Sequence, residues 1–281
     1  MHERLPFGLC CGSLVQADFR GLVEAASGAG FSAISLWPTL YQGALDGGLS
    51  VRDMRALLQD HDLHVSELDP YCQWLPLEVD PHDMAAAFQA YSDDDFYRIA
   101  DALGALTLNI IQLREAPVNA AQRAETIHHL CDRAARHGLK VSFEFLPWSP
   151  VPSLQQALQL VSEVDHPNFG VNIDTWHHFR SGGNIAELES LDPCRVVAVQ
   201  LNDIAEQPWD NLMEETSMGR LPPGEGCSDT VTVLHALRRA GVNAPINVEV
   251  FSADLMALPA NEAARRLADS TRAVLAQLLS D

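Results

Sequence analysis

Four segments in the second half of the chain end in a side chain that can hold a cation: Val141-Ser142-Phe143-Glu144, Val171-Asn172-Ile173-Asp174, Val197-Ala198-Val199-Gln200 and Ile246-Asn247-Val248-Glu249. In each, a small or polar residue stands two positions before the last. A β-strand alternates its faces with period two, so each segment turns its apolar residues to one side and its Glu, Asp or Gln to the other. Three carboxylates and an amide oxygen converging on one point make an oxygen-rich site for one divalent cation. Four buried polar groups left unpaired at one place would be costly, and a bound cation removes that cost.

Convergence requires strands whose ends meet. Short apolar runs alternate with longer helical patterns, the signature of βα units and a parallel sheet. The runs predict strands at Phe7 to Cys11, Ala33 to Trp37, Val65 to Leu68, Leu106 to Gln112, Lys140 to Phe145, Phe169 to Asp174, Val196 to Leu201 and Ile246 to Phe251. The intervening patterns predict helices at Asp18 to Ala29, Val51 to Asp60, Ser92 to Leu103, Ala120 to His137, Ser153 to Val164, Ile185 to Leu191, Thr230 to Ala240 and Glu262 to Leu279. Gly30, Gly104, Gly138 and Gly241 sit where helix C-termini are expected to close. No linker rich in Pro, Gly or Ser divides the chain, and no Gly-x-Gly-x-x-Gly follows the first strand. The expectation is an α/β protein, a single (β/α)8 barrel domain over 1–281, with its active site at the C-terminal ends of the strands.

Composition narrows the partners. The chain's 38 Asp and Glu against 18 Lys and Arg give a net charge of −20, a field that repels phosphate backbones and anionic lipid. Nucleic acid and membrane are therefore not expected partners; a small carbohydrate or cyclic polyol is. No apolar stretch approaches the roughly 20 residues of a membrane span, and the first residues lack the basic-then-apolar run of a signal peptide. The six cysteines form no Cys-x-x-Cys pair and read as reduced thiols. The expected location is the cytoplasm.

The stretch Asn172 to Gly183, the segments Val199-Gln200-Leu201-Asn202-Asp203 and Arg220 to Gly226, and the closing Asn247-Val248-Glu249 resemble the xylose isomerase-like TIM barrels of the sugar phosphate isomerase/epimerase superfamily. The likeness covers most of the chain and is strongest from Glu144 onward. It implies that Glu144, Asp174 and Glu249 bind one divalent metal. Gln200 departs from the common His; some lyases of the superfamily, including bacterial dehydroshikimate dehydratases, look similar in having Gln there. An all-oxygen set suits Mn²⁺ or Mg²⁺, with Co²⁺ as an alternative, better than Zn²⁺.

The chemistry expected from the resemblance is that of an enzyme, an isomerase or epimerase of a keto sugar. A substrate chelating the metal through a carbonyl and a neighbouring hydroxyl would form a metal-stabilised enediolate, with Glu144 and Glu249 as acid and base on opposite faces of the carbon. A dehydratase or lyase acting on a polyhydroxylated ring ketone, such as 3-dehydroshikimate, an inosose or a 3-keto sugar, would use the same site and expel a hydroxyl, with His177 as acid. The Asp-x-x-His followed by a Gly pair also resembles endonuclease IV. That branch needs further His residues on earlier strands, and both their absence around Glu67 and Gln112 and the charge of −20 argue against a nuclease.

The resemblance also implies that His177 and Arg220 bind substrate oxygens, Arg220 from a Pro/Gly loop that could hold a two-pronged guanidinium. Trp37, Glu67 and Gln112, at the ends of the second, third and fourth strands, are further candidate substrate contacts, and Trp148 a candidate pocket wall. Asp203 reads as a loop carboxylate, Trp176 as packing and His178 as structural. Of Cys10 and Cys11, period two lets only one face the pocket. Barrels of this kind often pair, so a homo-oligomer is an expected option.

Overall fold

The computed structural model describes residues 7–76 and 86–278. Eight parallel strands close into a barrel in chain order: β1 (Gly8–Leu9), β2 (Ala33–Leu36), β3 (His64–Tyr71), β4 (Thr107–Ile111), β5 (Lys140–Glu144), β6 (Phe169–Asp174), β7 (Val196–Leu201) and β8 (Ile246–Val248). Gly8 pairs with both Ala33 and Asn247, which seals β1 between β2 and β8. Around the barrel lie α1 (Phe19–Ala29), α2 (Pro38–Asp46), α3 (Val51–Asp60), α4 (Asp93–Leu103), α5 (Ala120–Arg136), α6 (Leu154–Val164), α7 (Thr175–Arg180), α8 (Ile185–Glu189), α9 (Leu212–Met218), α10 (Thr230–Arg239), α11 (Ala253–Met256) and α12 (Ala260–Leu278). The protein is a (β/α)8 barrel, as expected.

Local chemistry explains the helix limits. The side chains of Asp18, Asn119 and Asp229 accept backbone N–H groups that open α1, α5 and α10. Gly30, Gly104, Gly138 and Gly241 close their helices at φ between 74° and 84°, a region costly for any residue with a Cβ. Four short helices depart from the sequence expectation: α2, α7, α9 and α11 fold within connections read as loops. The last helix begins at Ala260 and is described to Leu278; Leu279 lies outside the described residues. β3 runs three residues past its expected end at Leu68.

The strand pattern divides the core into two environments. Apolar residues such as Ile34, Leu108, Phe143, Ile173 and Val248 pack outward under the helices, in one large cluster. Inside, Ser35, Ser66, Glu67, Asn109, Ser142, Asn172 and Asn247 are essentially inaccessible. A polar interior is stable only if bonded. Ser66 Oγ donates to Asn247 Oδ1 at 2.7 Å, and Ser142 Oγ to Asn109 Oδ1 at 3.0 Å. Gly8 has to be glycine for this packing, because a Cβ there would stand 2.2 Å from Asn247 Oδ1. Ser142 and Asn247, two positions before Glu144 and Glu249, join Asn109 and Ser66 in hydrogen-bonded pairs that floor the strand ends, while Ser35 Oγ and the Asn172 amide have no hydrogen-bond partner among the described residues.

Candidate active site

Above that floor a cavity of about 550 Å³ opens at the C-terminal ends of the strands. Glu144 closes β5, Asp174 closes β6, Gln200 stands near the end of β7, and Glu249 follows β8 directly. All four are buried. Glu144, Glu249, His177, Arg220, Trp37 and Trp148 line the cavity. Asp174 and Gln200 lie behind this lining. Asp174 also caps α7, its Oδ1 accepting the His177 N–H at 2.9 Å, and so fixes the imidazole beside the cavity.

Arg220 is the cationic centre of the site. Nη1 donates to Asp174 Oδ2 and Glu249 Oε2, each at 2.8 Å, while Nε donates to Thr216 O and Nη2 to Thr216 Oγ1. Its guanidinium also lies over the rings of Phe251 and Trp176, 4.6 and 5.6 Å from their centroids. Burial alone would lower the arginine's pKa; Asp174, Glu249 and Glu144 outweigh it, and the group stays charged. On the other side of the mouth, Asn109 Nδ2 donates to Glu144 Oε2 at 2.6 Å and to Asp69 Oδ1 at 2.8 Å. Below, Gln200 Nε2 donates to Glu67 Oε1 at 3.1 Å and Glu249 Oε1 at 3.2 Å, and Cys10 Sγ donates to Glu249 Oε1 at 3.0 Å.

Five buried carboxyls, Glu67, Asp69, Glu144, Asp174 and Glu249, thus share one guanidinium. The imbalance appears in their acidity. Burial raises Glu67 well above the usual carboxylate range, with Asp69 and Glu144 adding to it. Burial and Glu144 push Asp69 up to about 7. Glu249 is raised by burial despite Arg220. For Asp174 burial also acts upward, but Arg220, His177 and the bond from His177 N–H hold it below its ordinary value.

The residues fit a divalent cation. Gln200 Oε1 and Glu67 Oε2 are buried without a hydrogen-bond partner. A guanidinium only donates, so His177 Nε2, 3.2 Å from Arg220 Nη2, accepts and carries no hydrogen. Glu144 Oε1 lies 3.2 Å from the same nitrogen. Two electron-rich atoms therefore face each other, a place for a cation or a proton. Glu144, Asp174 and His177 each offer a ligand atom within 4.8 Å of the others. His128, Asp132 and His166 form a second such group. There, however, His166 Nδ1 accepts the Asn168 N–H at 3.0 Å, which leaves neutral Nε2 protonated and donating to Asp132. An imidazole so held is not a metal ligand.

The structure gathers most of the sequence candidates. Trp37, 5.0 Å from Phe88 and 6.1 Å from Phe251 between ring centroids, belongs to an aromatic wall facing Trp148 and His177. Two candidates sit elsewhere. Glu67 is in the middle of β3, not at its end, and lies beneath the cavity lining. Gln112 stands outside the lining, its Nε2 turned to Arg114 O at 3.1 Å. Asp203 does hold a loop, accepting from Gly224, Gly226, Ser228 and Thr230. Trp176 is fully buried packing, and His178 Nε2 meets Asn184 O at 3.1 Å. Asp69, Asn109 and Cys10 were missed by sequence reasoning. Alternation from Glu67 puts Asp69 on the inner face, one residue beyond the expected strand end at Leu68.

Fold and mouth together define a (β/α)8 barrel with an acid-rich site at its C-terminal face. The chain belongs to the xylose isomerase-like TIM barrel family, whose model matches residues 23–274. It is 30% identical over 156 residues to an inosose isomerase of Bacillus velezensis, 55% of each chain. It is 25% identical over 241 residues to a 3-dehydroshikimate dehydratase of Pseudomonas aeruginosa, 84% of this chain and 37% of that one. A ketose 3-epimerase of Arthrobacter globiformis is 31% identical over 147 residues, 50% of this chain and 46% of the relative. The chain spans about half the length of the inosose isomerases it matches. The solved IolI protein, which binds a zinc atom, superposes with a TM-score of 0.84 at 20% identity, over 98% of this chain and 99% of that one. Among the described residues no helix is long and apolar enough to cross a membrane.

Proposed function

We propose that the protein is a divalent-metal-dependent isomerase or epimerase of a keto sugar or cyclic polyol ketone. The observation that carries the reading is the pair Glu144 and Glu249, on β5 and just past β8, with two strands between them around the barrel and lining one cavity with His177 and Arg220. Glu144, Asp174, Glu249 and Oε1 of Gln200 would hold the cation, with His177 Nε2 within reach of the first two. When bound, a divalent cation would polarise a carbonyl and a neighbouring hydroxyl and acidify the C–H between them. One glutamate takes that proton and the other returns one on the opposite face. Arg220 and His177 bind substrate oxygens, and Trp37 and Trp148 pack the apolar faces of the ring. Because the donors are mainly oxygens, Mn²⁺ or Mg²⁺ suits the set, with Co²⁺ as an alternative.

A second reading is a dehydratase on a polyhydroxylated ring ketone. The observation favouring it is His177 Nε2 at 3.2 Å from Glu144 Oε1, a place where a proton taken up between the two would be available to a departing hydroxyl. We take the whole chain as one domain working in the cytoplasm, a setting that suits six free thiols, and a homo-oligomer is an option. Proton magnetic resonance in D₂O, with Mn²⁺ or Mg²⁺ and an inosose, a ketose or 3-dehydroshikimate, separates the readings. Deuterium uptake without loss of water supports the isomerase; a new conjugated absorbance supports the dehydratase. Neither change with any of the three substrates would count against both.

A further inference from the structure

Glu67 is the one acid of the site that meets the others from below. It is 0% exposed and absent from the cavity lining, so substrate has no access to it. Its Oε1 accepts one hydrogen of Gln200 Nε2, and Glu249 Oε1 accepts the other. A carboxyl oxygen that carries no proton can only accept, so with Oε1 of both acids unprotonated this pair of acceptors sets the amide's orientation. The nitrogen faces the two acids, and Oε1, buried and unpartnered, is left as the atom Gln200 can present to a cation. A proton on Glu67 Oε2 would leave this arrangement intact, because Oε1 would still accept.

We propose that Glu67 is a positioning residue for the cation: by holding the amide of Gln200 it makes Oε1 the ligand atom at the place where relatives by resemblance have an imidazole. Without an acceptor at position 67, Glu249 Oε1 alone opposes a turned amide that would offer Nε2, whose lone pair is delocalised and does not ligate. Partners of metal ligands typically contribute about 10- to 100-fold to metal affinity. The inference rests on the reading that the mouth binds a divalent cation, and the experiment separates the two.

The test is calorimetric titration of MnCl₂ into chelator-stripped full-length protein. It uses the native chain, Glu67→Gln, Glu67→Leu, Gln200→Leu and the double variant Glu67→Leu/Gln200→Leu. Glu67→Gln keeps an acceptor oxygen and is expected to bind within about threefold of native, whereas Glu67→Leu is expected to lose about 10-fold or more. In the Gln200→Leu background the Glu67→Leu change is expected to have no further effect, the signature of action through Gln200. Native-like binding by Glu67→Leu overturns the proposal, as does an equal loss in Glu67→Gln or an undiminished loss in the Gln200→Leu background. If the native chain takes up no Mn²⁺, the cation reading falls and the proposal with it. Should Glu67→Leu fail to fold by circular dichroism, Glu67→Met carries the same comparison.

Discussion

Glu144 and Glu249 end equivalent segments of one barrel, with β6 and β7 between their strands, yet their surroundings differ. Glu144 has an amide donor, Asn109, on one oxygen and an imidazole 3.2 Å from the other. Glu249 is held by three donors, the Cys10 thiol and the Gln200 amide on Oε1 and the Arg220 guanidinium on Oε2. An imidazole can exchange protons near neutral pH, while an amide and a guanidinium cannot. Under the proposed function, the difference would put the more mobile proton chemistry on the Glu144 side and the more rigid positioning on the Glu249 side. Asp174 sharpens the point. It shares Nη1 of Arg220 with Glu249 at the same 2.8 Å, but Asp174 also takes N–H groups from His177 and Asn202 and is held ionised, while Glu249 is raised.

If the sides differ in this way, Glu144→Gln has the largest effect. Turnover is expected to fall by about a thousandfold or more, since general acid–base groups typically contribute about 10²- to 10⁴-fold. Steady-state kinetics on the substrate found by magnetic resonance checks this, and full activity would break the assignment. Arg220→Leu comes next. It leaves Asp174 and Glu249 as buried charges without their counterion, so chelator-treated protein should lose about 3–5 kcal/mol of stability. Denaturant unfolding measures the loss, and added Mn²⁺ should recover part of it.

The acid cluster predicts a smaller, pH-dependent effect. Asp69 near 7, with Glu67 and Glu249 also raised, binds protons in the folded state that an unfolded carboxyl has released. The contribution of these three acids to the stability of the metal-free protein is therefore fully present below the ordinary carboxylate range and is lost as pH rises through about 7. Melting in the presence of chelator should occur at lower temperature at pH 8 than at pH 5, and Asp69→Asn should flatten the slope. An unchanged slope in that variant would place the raised acidity elsewhere. The smallest effect is expected from Gln200→His, which adds a nitrogen donor and should shift the Mn²⁺ to Zn²⁺ preference toward Zn²⁺, read by competition titration.

The strand ends were legible because alternation is a strict geometric rule. Once β5 to β8 were found, Glu144, Asp174, Gln200 and Glu249 had to share an inner face. Asp69 was not legible, because the expected strand ends at Leu68 while β3 continues to Tyr71. Cys10 could not be chosen over Cys11 until pairing with β8 set the register of β1; Cys10 then meets Glu249, and Cys11 accepts the Trp37 N–H. The role of Arg220 was harder still. It follows α9, a short helix within the connection from β7 to β8, and no periodicity predicts where that loop returns to the barrel.

The central claim, that two glutamates lining one cavity move the proton, is tested most directly by solvent exchange in single variants. Native protein, Glu144→Gln and Glu249→Gln, each loaded with Mn²⁺, are incubated in D₂O with the accepted ketone and followed by proton magnetic resonance. The account predicts isomerisation with deuterium uptake in the native chain. It predicts no isomerisation in either variant, with exchange at the carbon beside the carbonyl surviving in at most one of them. Isomerisation at the native rate in either variant would contradict it.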